Sequence, residues 1–280
     1  MAGRWLQALL GLLLVGCGSA VVDRPPEPRP VAPAALDPLP AGLTLRQLEH
    51  LGARYTVATV DLRSLALDLY GQTPEHGAVQ DIPALERWLG RQGRRMVLAT
   101  NSGIYETDGR PLGLHIERGV ELSPRNLADA PGNFFLKPNA IFFVEGPPGS
   151  ETAAVVESNA YDRPSAGVRL ATQSGPALLL GGELHPRFLP DATSLKLRSG
   201  VGVNAGAPQV VYLAISDGEV RFHDFATLFR DALGCTDALY LDGTVSVLSA
   251  PGRRGPEHTR GTFGGILAVT EALPAARPRR

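Results

Sequence analysis

The chain has 280 residues and is 44% hydrophobic, which supplies a sizeable core and excludes a chain disordered throughout. Its 27 basic and 28 acidic residues leave a formal charge of −1, which excludes the basic footprint of a non-specific nucleic-acid binder. The 32 glycines and 24 prolines, set against 6% aromatic residues, follow no Gly-x-y period and point to a linker or to a fold rich in turns and short strands.

Arg4 precedes an apolar run from Trp5 to Val15, and the run ends in Leu14-Val15-Gly16-Cys17. It is shorter than the roughly 20 residues of a membrane span and reads as a signal-peptide core over 1–16. Leu-Val-Gly-Cys resembles the bacterial lipoprotein box. That implies lipidation at Cys17 and a membrane-anchored envelope protein; Gly18 after the cysteine favours the outer membrane, facing the periplasm. A plain secretory leader, or an uncleaved anchor extending to Val22, are the alternatives. Pro25, Pro26, Pro28, Pro30, Pro33, Pro38 and Pro40 make 17–44 an extended tether of about 80 Å at ~3.1 Å per residue. With Cys17 lipidated, Cys235 stands alone, so no internal disulfide is expected and Cys235 reads as a small buried hydrophobe.

From Arg54 onward, short apolar runs alternate with turn signals. Tyr55–Val60 and Ser64–Tyr70 read as a strand pair. Ile82–Gln92 reads as a helix capped by Asp81, with Pro83 in its first turn, Leu85, Trp88 and Leu89 on its buried stripe, and Gly93 as its stop. Met96–Thr100 is a buried strand, Leu112–Glu117 and Val120–Leu122 a hairpin about Arg118-Gly119, and Ala140–Val144 an inner strand. Val210–Ile215 and Glu219–Phe222 flank the hairpin signal Asp217-Gly218. Asp224 reads as the cap of a second helix, Phe225–Leu233, stopped by Gly234. Ala238–Leu241 and Gly265–Val269 close the series. Strands outnumber helices without alternating with them, which predicts one α+β domain over 45–271 with a mixed, curved sheet, and a basic tail over 272–280. A monomer is expected.

One pattern occurs twice. Ala99-Thr100-Asn101-Ser102-Gly103 is echoed by Ala171-Thr172-Gln173-Ser174-Gly175, and each is followed by G-x-E-L-x-P-R, at Gly119–Arg125 and Gly181–Arg187. Two related strand-turn-strand units facing one another would bring both Ser-Gly turns to one cleft.

The chain has no G-x-S-x-G elbow, H-E-x-x-H, P-loop or paired C-x-x-C, so nothing supports a serine hydrolase, zinc protease or nucleotide-binding enzyme. What it has are polar residues beside glycines at strand ends, where a ligand can approach backbone closely. They form four clusters: Asn101-Ser102-Gly103-Ile104-Tyr105, Lys137-Pro138-Asn139, Lys196 to Gly202, and Tyr240 to Ser246. Taken together with Gly113–Glu117, Gly132–Asn139, Ala171–Pro176, Leu233-Gly234-Cys235 and Ala238–Gly243, this order resembles the phosphodiester glycosidase family over roughly Arg54–Thr270. Asn101, Gly103, Arg198, Asp242, Gly243 and Ser246 match the family pattern residue by residue. Ser102, Thr244 and Val245 depart from it, standing where the family often carries Asn-Gly-Gly-Phe-Phe and Asp-Gly-Gly-Gly-Ser. The lost glycines narrow the space beside the backbone and bear on the substrate.

The resemblance implies hydrolysis of a sugar 1-phosphodiester in envelope or extracellular glycans. Departure of a phosphomonoester needs its charge stabilised more than it needs a strong acid. Arg198 offers a bidentate fork for phosphate oxygens, with Lys137 or Lys196 assisting. Asp242 is the expected carboxylate for activating water, and Asn101 would orient a sugar group or the water. Ser102, Gly103, Tyr105, Lys137, Asn139, Ser174, Gly175, Gly243, Thr244 and Ser246 complete the expected binding set, with Glu117, His115 and His223 in reserve. Asp242 and Asn101 are hard oxygen ligands suited to a divalent cation, but no dense carboxylate cluster argues for one, and no cofactor is assigned. A non-catalytic glycan-binding lipoprotein and a metal-dependent phosphodiesterase are the alternatives.

Overall fold

The computed structural model describes residues 38–73, 77–78, 81–251 and 262–273, all within the unit Leu36–Arg280. The expected leader, Cys17, most of the tether and the tail from 274 onward lie outside the described residues. Three antiparallel sheets make up the body. The largest runs β1 (Leu43–His50), β2 (Ala53–Asp61), β15 (Val210–Ser216), β14 (Ser199–Val203), β16 (Asp237–Asp242), β12 (Ala177–Leu180) and β13 (Glu183–Leu184). The second runs β10 (Thr152–Glu157), β9 (Ala140–Glu145), β11 (Val168–Ser174), β7 (His115–Glu117) and β8 (Val120–Ser123). The third runs β17 (Leu248–Ser249), β6 (Arg94–Asn101), β18 (Ile266–Ala272) and β3 (Leu67–Tyr70); β4 (Gln72–Thr73) and β5 (Gly77–Ala78) pair separately.

The central strands are apolar on both faces because both faces are covered. Leu239 and Leu241 of β16, Phe142 and Val144 of β9, and Leu267 and Val269 of β18 all point into one core shared by the three sheets. Their neighbours point outward. Ala238 and Tyr240 meet Phe225 and Phe229, Ile141 and Phe143 join Leu114, Ile116 and Tyr161, and Ile266 and Ala268 lie under α1 (Ile82–Arg91). Helix α1 forms as expected: the Asp81 carboxylate accepts from Ala84 N at 2.6 Å, Leu85, Trp88 and Leu89 are buried, and the chain leaves through Gly93 at φ +67°.

The α+β class holds in outline, for a body that is mainly strand with two α-helices. Where a mixed sheet was expected, every pairing among the described residues is antiparallel. Four local expectations are corrected. Tyr55–Val60 and Ser64–Tyr70 do not pair with each other: β2 lies between β1 and β15, and β3 joins β18 in another sheet. Residues beyond Asp217-Gly218 do not fold back on β15, because Val220 bridges Lys196, exchanging N–H···O bonds of 3.2 and 2.8 Å. The second helix, α2, starts early, at Phe222, and spans Phe222–Thr227 before widening into a π-helical turn over Leu228–Ala232. Asp224 cannot serve as its cap, since its carboxylate meets Arg221 and His223 instead. Lastly, β1 begins inside the segment expected as tether, because Leu43 is buried in the shared core.

Strand β14 explains the glycines of Arg198-Ser199-Gly200-Val201-Gly202-Val203. Val201 and Val203 face the shared core. Gly200 and Gly202 face the other way, where a Cβ at 202 would sit 2.4 Å from Phe229 Cδ1 and 2.8 Å from Cys235 Sγ. These glycines admit aromatic rings rather than a ligand. Cys235 is buried there as expected, its thiol pushed up to about 12 chiefly by burial. Gly202→Ala is therefore expected to lower stability by about 1–3 kcal/mol through overpacking, and Phe229→Leu in the same chain to recover part of it. Urea unfolding of the two single variants and the double variant checks this.

Candidate active site

Strand ends from all three sheets meet at one place. Strand β6 ends at Asn101, β11 at Ser174, β14 begins at Ser199, and β16 ends at Asp242. The echoed turns touch as the repeat predicts: Gly103 N donates to Thr172 Oγ1 at 3.1 Å and Ile104 N to Ser174 Oγ at 3.3 Å, while Ser174 Oγ donates to Leu241 O at 3.0 Å. A Cβ on Gly103 would lie 2.3 Å from Gln173 O, and one on Gly175 would lie 2.4 Å from Phe134 O. The space beside these glycines is filled by protein backbone, not open to a substrate as expected from the sequence.

Asn101 is buried at 2% exposure and bound at both ends of its amide. Its Nδ2 donates to Ser199 Oγ at 2.9 Å, and its Oδ1 accepts from Val247 N at 3.1 Å. Ser246 Oγ donates to Asp242 O at 2.8 Å and lies 3.0 Å from Ser199 Oγ. Asn101, Ser199 and Ser246 thus form a buried lattice behind Asp242. In this placement Asn101 and Ser246 position the site rather than face a ligand.

Asp242 is only partly buried and carries the carboxylate of the cluster. Burial raises its pKa from 3.8 to about 6, against hydrogen bonds from the backbone N–H groups of Gly243 and Val245 that favour the charged form. Two phenols lie close enough to feel it. Half-buried Tyr105 has its pKa raised by burial and by Asp242, and its hydroxyl donates to Thr262 O. Tyr240, two residues before Asp242 and so on the same face of β16, is raised by the same two causes, with Arg198 opposing. A Cβ on Gly243 would meet the Tyr240 hydroxyl at 2.6 Å. Thr244 is exposed at the rim.

Arg198 is placed differently from the expected phosphate fork. It is 0% exposed, its guanidinium carbon lies 3.5 Å from the Phe222 ring centroid and 5.7 Å from that of Tyr240, and Nε donates to Val220 O at 2.9 Å. Burial lowers its pKa, while Tyr240 and Tyr55 counter that effect. The sequence offers a signal for this stack: Tyr240 shares its face with Asp242, and Phe222 begins the helix packed over it. Lys137 lies against the 127–129 loop, donating to Leu127 O at 2.8 Å and pairing with Asp129 at 2.6 Å. Asn139 donates to Phe134 O at 2.9 Å and is buried. Lys196 is exposed, and His223 pairs with Asp224 at 3.1 Å.

The reserve pair forms a second polar centre. His115 Nε2 lies 2.7 Å from Glu117 Oε1, which also accepts from Gly71 N at 2.5 Å, and both side chains are buried. Ser102 adjoins the pair. Its N donates to Gly265 O at 2.9 Å, and a Cβ on Gly265 would meet Ser102 Oγ at 2.6 Å and His115 Cε1 at 2.7 Å. Among the described residues no three His, Cys, Asp or Glu side chains gather as a metal-binding set.

A family model for phosphodiester glycosidases matches residues 94–251. YigE, an uncharacterised protein of Escherichia coli K12, is 36% identical over 188 residues, which is 67% of this chain and 71% of YigE. Among solved structures, the catalytic domain of zebrafish N-acetylglucosamine-1-phosphodiester alpha-N-acetylglucosaminidase, auto-inhibited by its pro-peptide, superposes with a TM-score of 0.56 at 14% identity, over 81% of each chain. A hypothetical protein from Synechocystis superposes with a TM-score of 0.53 at 15% identity, over 81% of this chain and 61% of its own. At such identities the two structures speak for the fold alone.

Two outcomes follow from the geometry. Asn101→Ala leaves Val247 N–H without its acceptor and is expected to cost about 1–3 kcal/mol in urea unfolding; a residue that served substrate alone would leave stability unchanged. The raised pKa of Asp242 makes its ionisation oppose folding. Below the unfolded value of 3.8 it is protonated in both states and contributes nothing. As pH rises through about 6 the penalty becomes complete. Asp242→Asn is therefore expected to be more stable than the parent by about 1–3 kcal/mol at pH 7.5, with the gain vanishing near pH 3.5. Thermal unfolding across that range checks the sign.

Proposed function

Because the chain belongs to the phosphodiester glycosidase family, we propose that it hydrolyses a glycosyl phosphodiester, with Asp242 as the group that activates water. The carrying observation is the partly exposed Asp242 carboxylate at the meeting point of the strand ends, with a pKa raised to about 6. A carboxylate of that pKa is a stronger base than an ordinary aspartate and is ionised at neutral pH. In the proposed step the Asp242 carboxylate takes a proton from water as the water oxygen bonds to the anomeric carbon. The bond from that carbon to the phosphate oxygen breaks, and its electron pair leaves with the phosphomonoester. The phenols of Tyr105 and Tyr240 stay protonated beside the carboxylate, since burial and the Asp242 charge both raise their pKa values. Arg198 acts from behind Tyr240 as a buried positive charge at the back of the site, in place of direct contact with phosphate.

The zebrafish enzyme's name, which specifies an N-acetylglucosamine 1-phosphodiester, supports the bond class. We further place the enzyme in the bacterial envelope, exported by the segment over 1–16, anchored by a lipid on Cys17 and acting as a monomer on envelope or extracellular glycans. The lipobox-like Leu14-Val15-Gly16-Cys17 and the proline-rich stretch after it support that reading.

Asp242→Asn is expected to lower turnover of a glycosyl phosphodiester ~10²-fold or more, and the parent rate to rise with pH through about 6 as the base ionises. Hydrolysis in ¹⁸O-water is expected to place label in the sugar. Label in the phosphate would make the reaction a phosphodiesterase, and undiminished turnover by Asp242→Asn would remove the assigned role.

A further inference from the structure

A cleft of about 390 Å³ lies away from Asp242, and Arg94, Arg118 and Arg169 all line it. Its place follows from the strands. β11 runs from Val168 to Ser174 and β6 from Arg94 to Asn101, so each begins at the cleft and ends in the Asp242 centre. Arg169 stands five residues before Ser174, about 17 Å at ~3.3 Å per residue.

The three arginines are engaged to different degrees. Arg169 is fixed: its Nε and one terminal nitrogen donate to Asp68 Oδ1 at 3.0 and 2.7 Å, and its other terminal nitrogen donates to Glu151. Asp68 Oδ2 accepts from the Tyr70 hydroxyl at 3.2 Å, while the nearest nitrogen of Arg94 stays 3.6 Å away, beyond a good hydrogen bond. Arg118 is exposed and has no hydrogen bond or ion pair among the described residues. Three arginines thus face two carboxylates, and the donors left over, on Arg94 and Arg118, are open to solvent.

Arg118 also stands where its backbone favours another residue. It opens the two-residue turn between β7 and β8, with φ +51° at Arg118 and +81° at Gly119. Such turns prefer Asn-Gly or Gly-Gly, and a bulky side chain at positive φ is disfavoured. The turn is held in place nonetheless. Ser165 Oγ donates to Glu121 Oε2 at 2.7 Å, and a Cβ on Gly119 would lie 3.6 Å from Ala166 O. Backbone strain kept at a hairpin tip, under a charge that no contact of the fold uses, is the mark of a ligand site.

We propose that this cleft is an anion site for a phosphate group, free or borne on a lipid headgroup. Arg118 and Arg94 bind its oxygens, and Arg169, locked by Asp68 and Glu151, supplies fixed charge behind them. Guanidinium forks from two separate elements suit a group with more than two acceptor oxygens, which phosphate has and a carboxylate lacks. The site is independent of the glycosidase reading, since none of the residues assigned to the Asp242 centre lines it.

The test titrates the full-length protein with inorganic phosphate and with acetate, followed by calorimetry and by the NMR signal of Arg118 Nε–H. Phosphate is expected to bind at millimolar concentration and shift that signal, with acetate at least fivefold weaker. Arg118→Asn is expected to weaken phosphate binding at least fivefold while raising the thermal unfolding temperature, because Asn suits the turn; a residue kept for the fold alone would lower it. Arg94→Gln is expected to weaken phosphate to a similar degree, and both variants to hydrolyse a glycosyl phosphodiester at the parent rate. Vesicles of phosphatidylglycerol and of phosphatidylcholine separate the two sources of phosphate. Binding to the first alone, lost in Arg118→Asn, assigns the headgroup; equal partition of parent and variant assigns the free anion. No phosphate bound at tens of millimolar, acetate bound equally well, or undiminished binding by Arg118→Asn would overturn the site.

Discussion

The amide of Asn101 spans two sheets. It ends β6 in the four-stranded sheet, yet its nitrogen donates to Ser199 at the start of β14 in the seven-stranded sheet, and its oxygen holds Val247 N in the loop after Asp242. No water is needed to satisfy any of these groups, and their burial makes each hydrogen bond costly to lose. Ser199 and Ser246 then brace the Asp242 backbone carbonyl. The direction of the Asp242 side chain is thus a consequence of how two sheets are joined, which is the rigid mounting that a reactive carboxylate requires.

That mounting has an electrostatic cost. A carboxylate held where burial raises its pKa to about 6 destabilises the fold at neutral pH, and nothing around it offsets the burial fully. Arg198 lies stacked on Phe222, and Tyr240 feels both its charge and that of Asp242. For the base role proposed for Asp242 the separation matters, since direct contact with the guanidinium would hold the pKa down.

Much of this could be read from residues, and the failures have physical causes. Helix α1 was legible because its cap, apolar stripe and stop agree. The apposed turns were legible from the echo, in which each copy keeps its Ser-Gly. Partners of individual strands were not, because β2 and β9 carry apolar residues on both faces, and a run without alternation does not say which sheet covers it. Strand β1 escaped because Arg46, Gln47 and Glu49 dilute its apolar positions just after a proline-rich stretch. Arg198 was misread because Ser-Gly-Val-Gly-Val looks like a ligand loop, whereas its glycines face Phe225 and Phe229. His115 and Glu117 stood only in reserve, because nothing in the strand pattern shows that the two pair in the interior.

Asn101 has a counterpart in the second copy of the repeat. Gln173 is likewise buried and bound at both ends of its amide, accepting from Leu114 N at 3.0 Å and Asn126 N at 2.9 Å and donating to Asn126 O and Ser158 Oγ. Each amide also finds partners outside its own copy. Asn101 reaches residues 98 and 146 positions away in the chain, and Gln173 reaches back 59 positions to Leu114. Contacts of such range form late, after the entropy of closing long loops has been spent. Folding of the two halves is therefore coupled. Neither should persist as an autonomous unit, the chain should fold slowly for its size, and the Asp242 centre should be among the last parts to assemble.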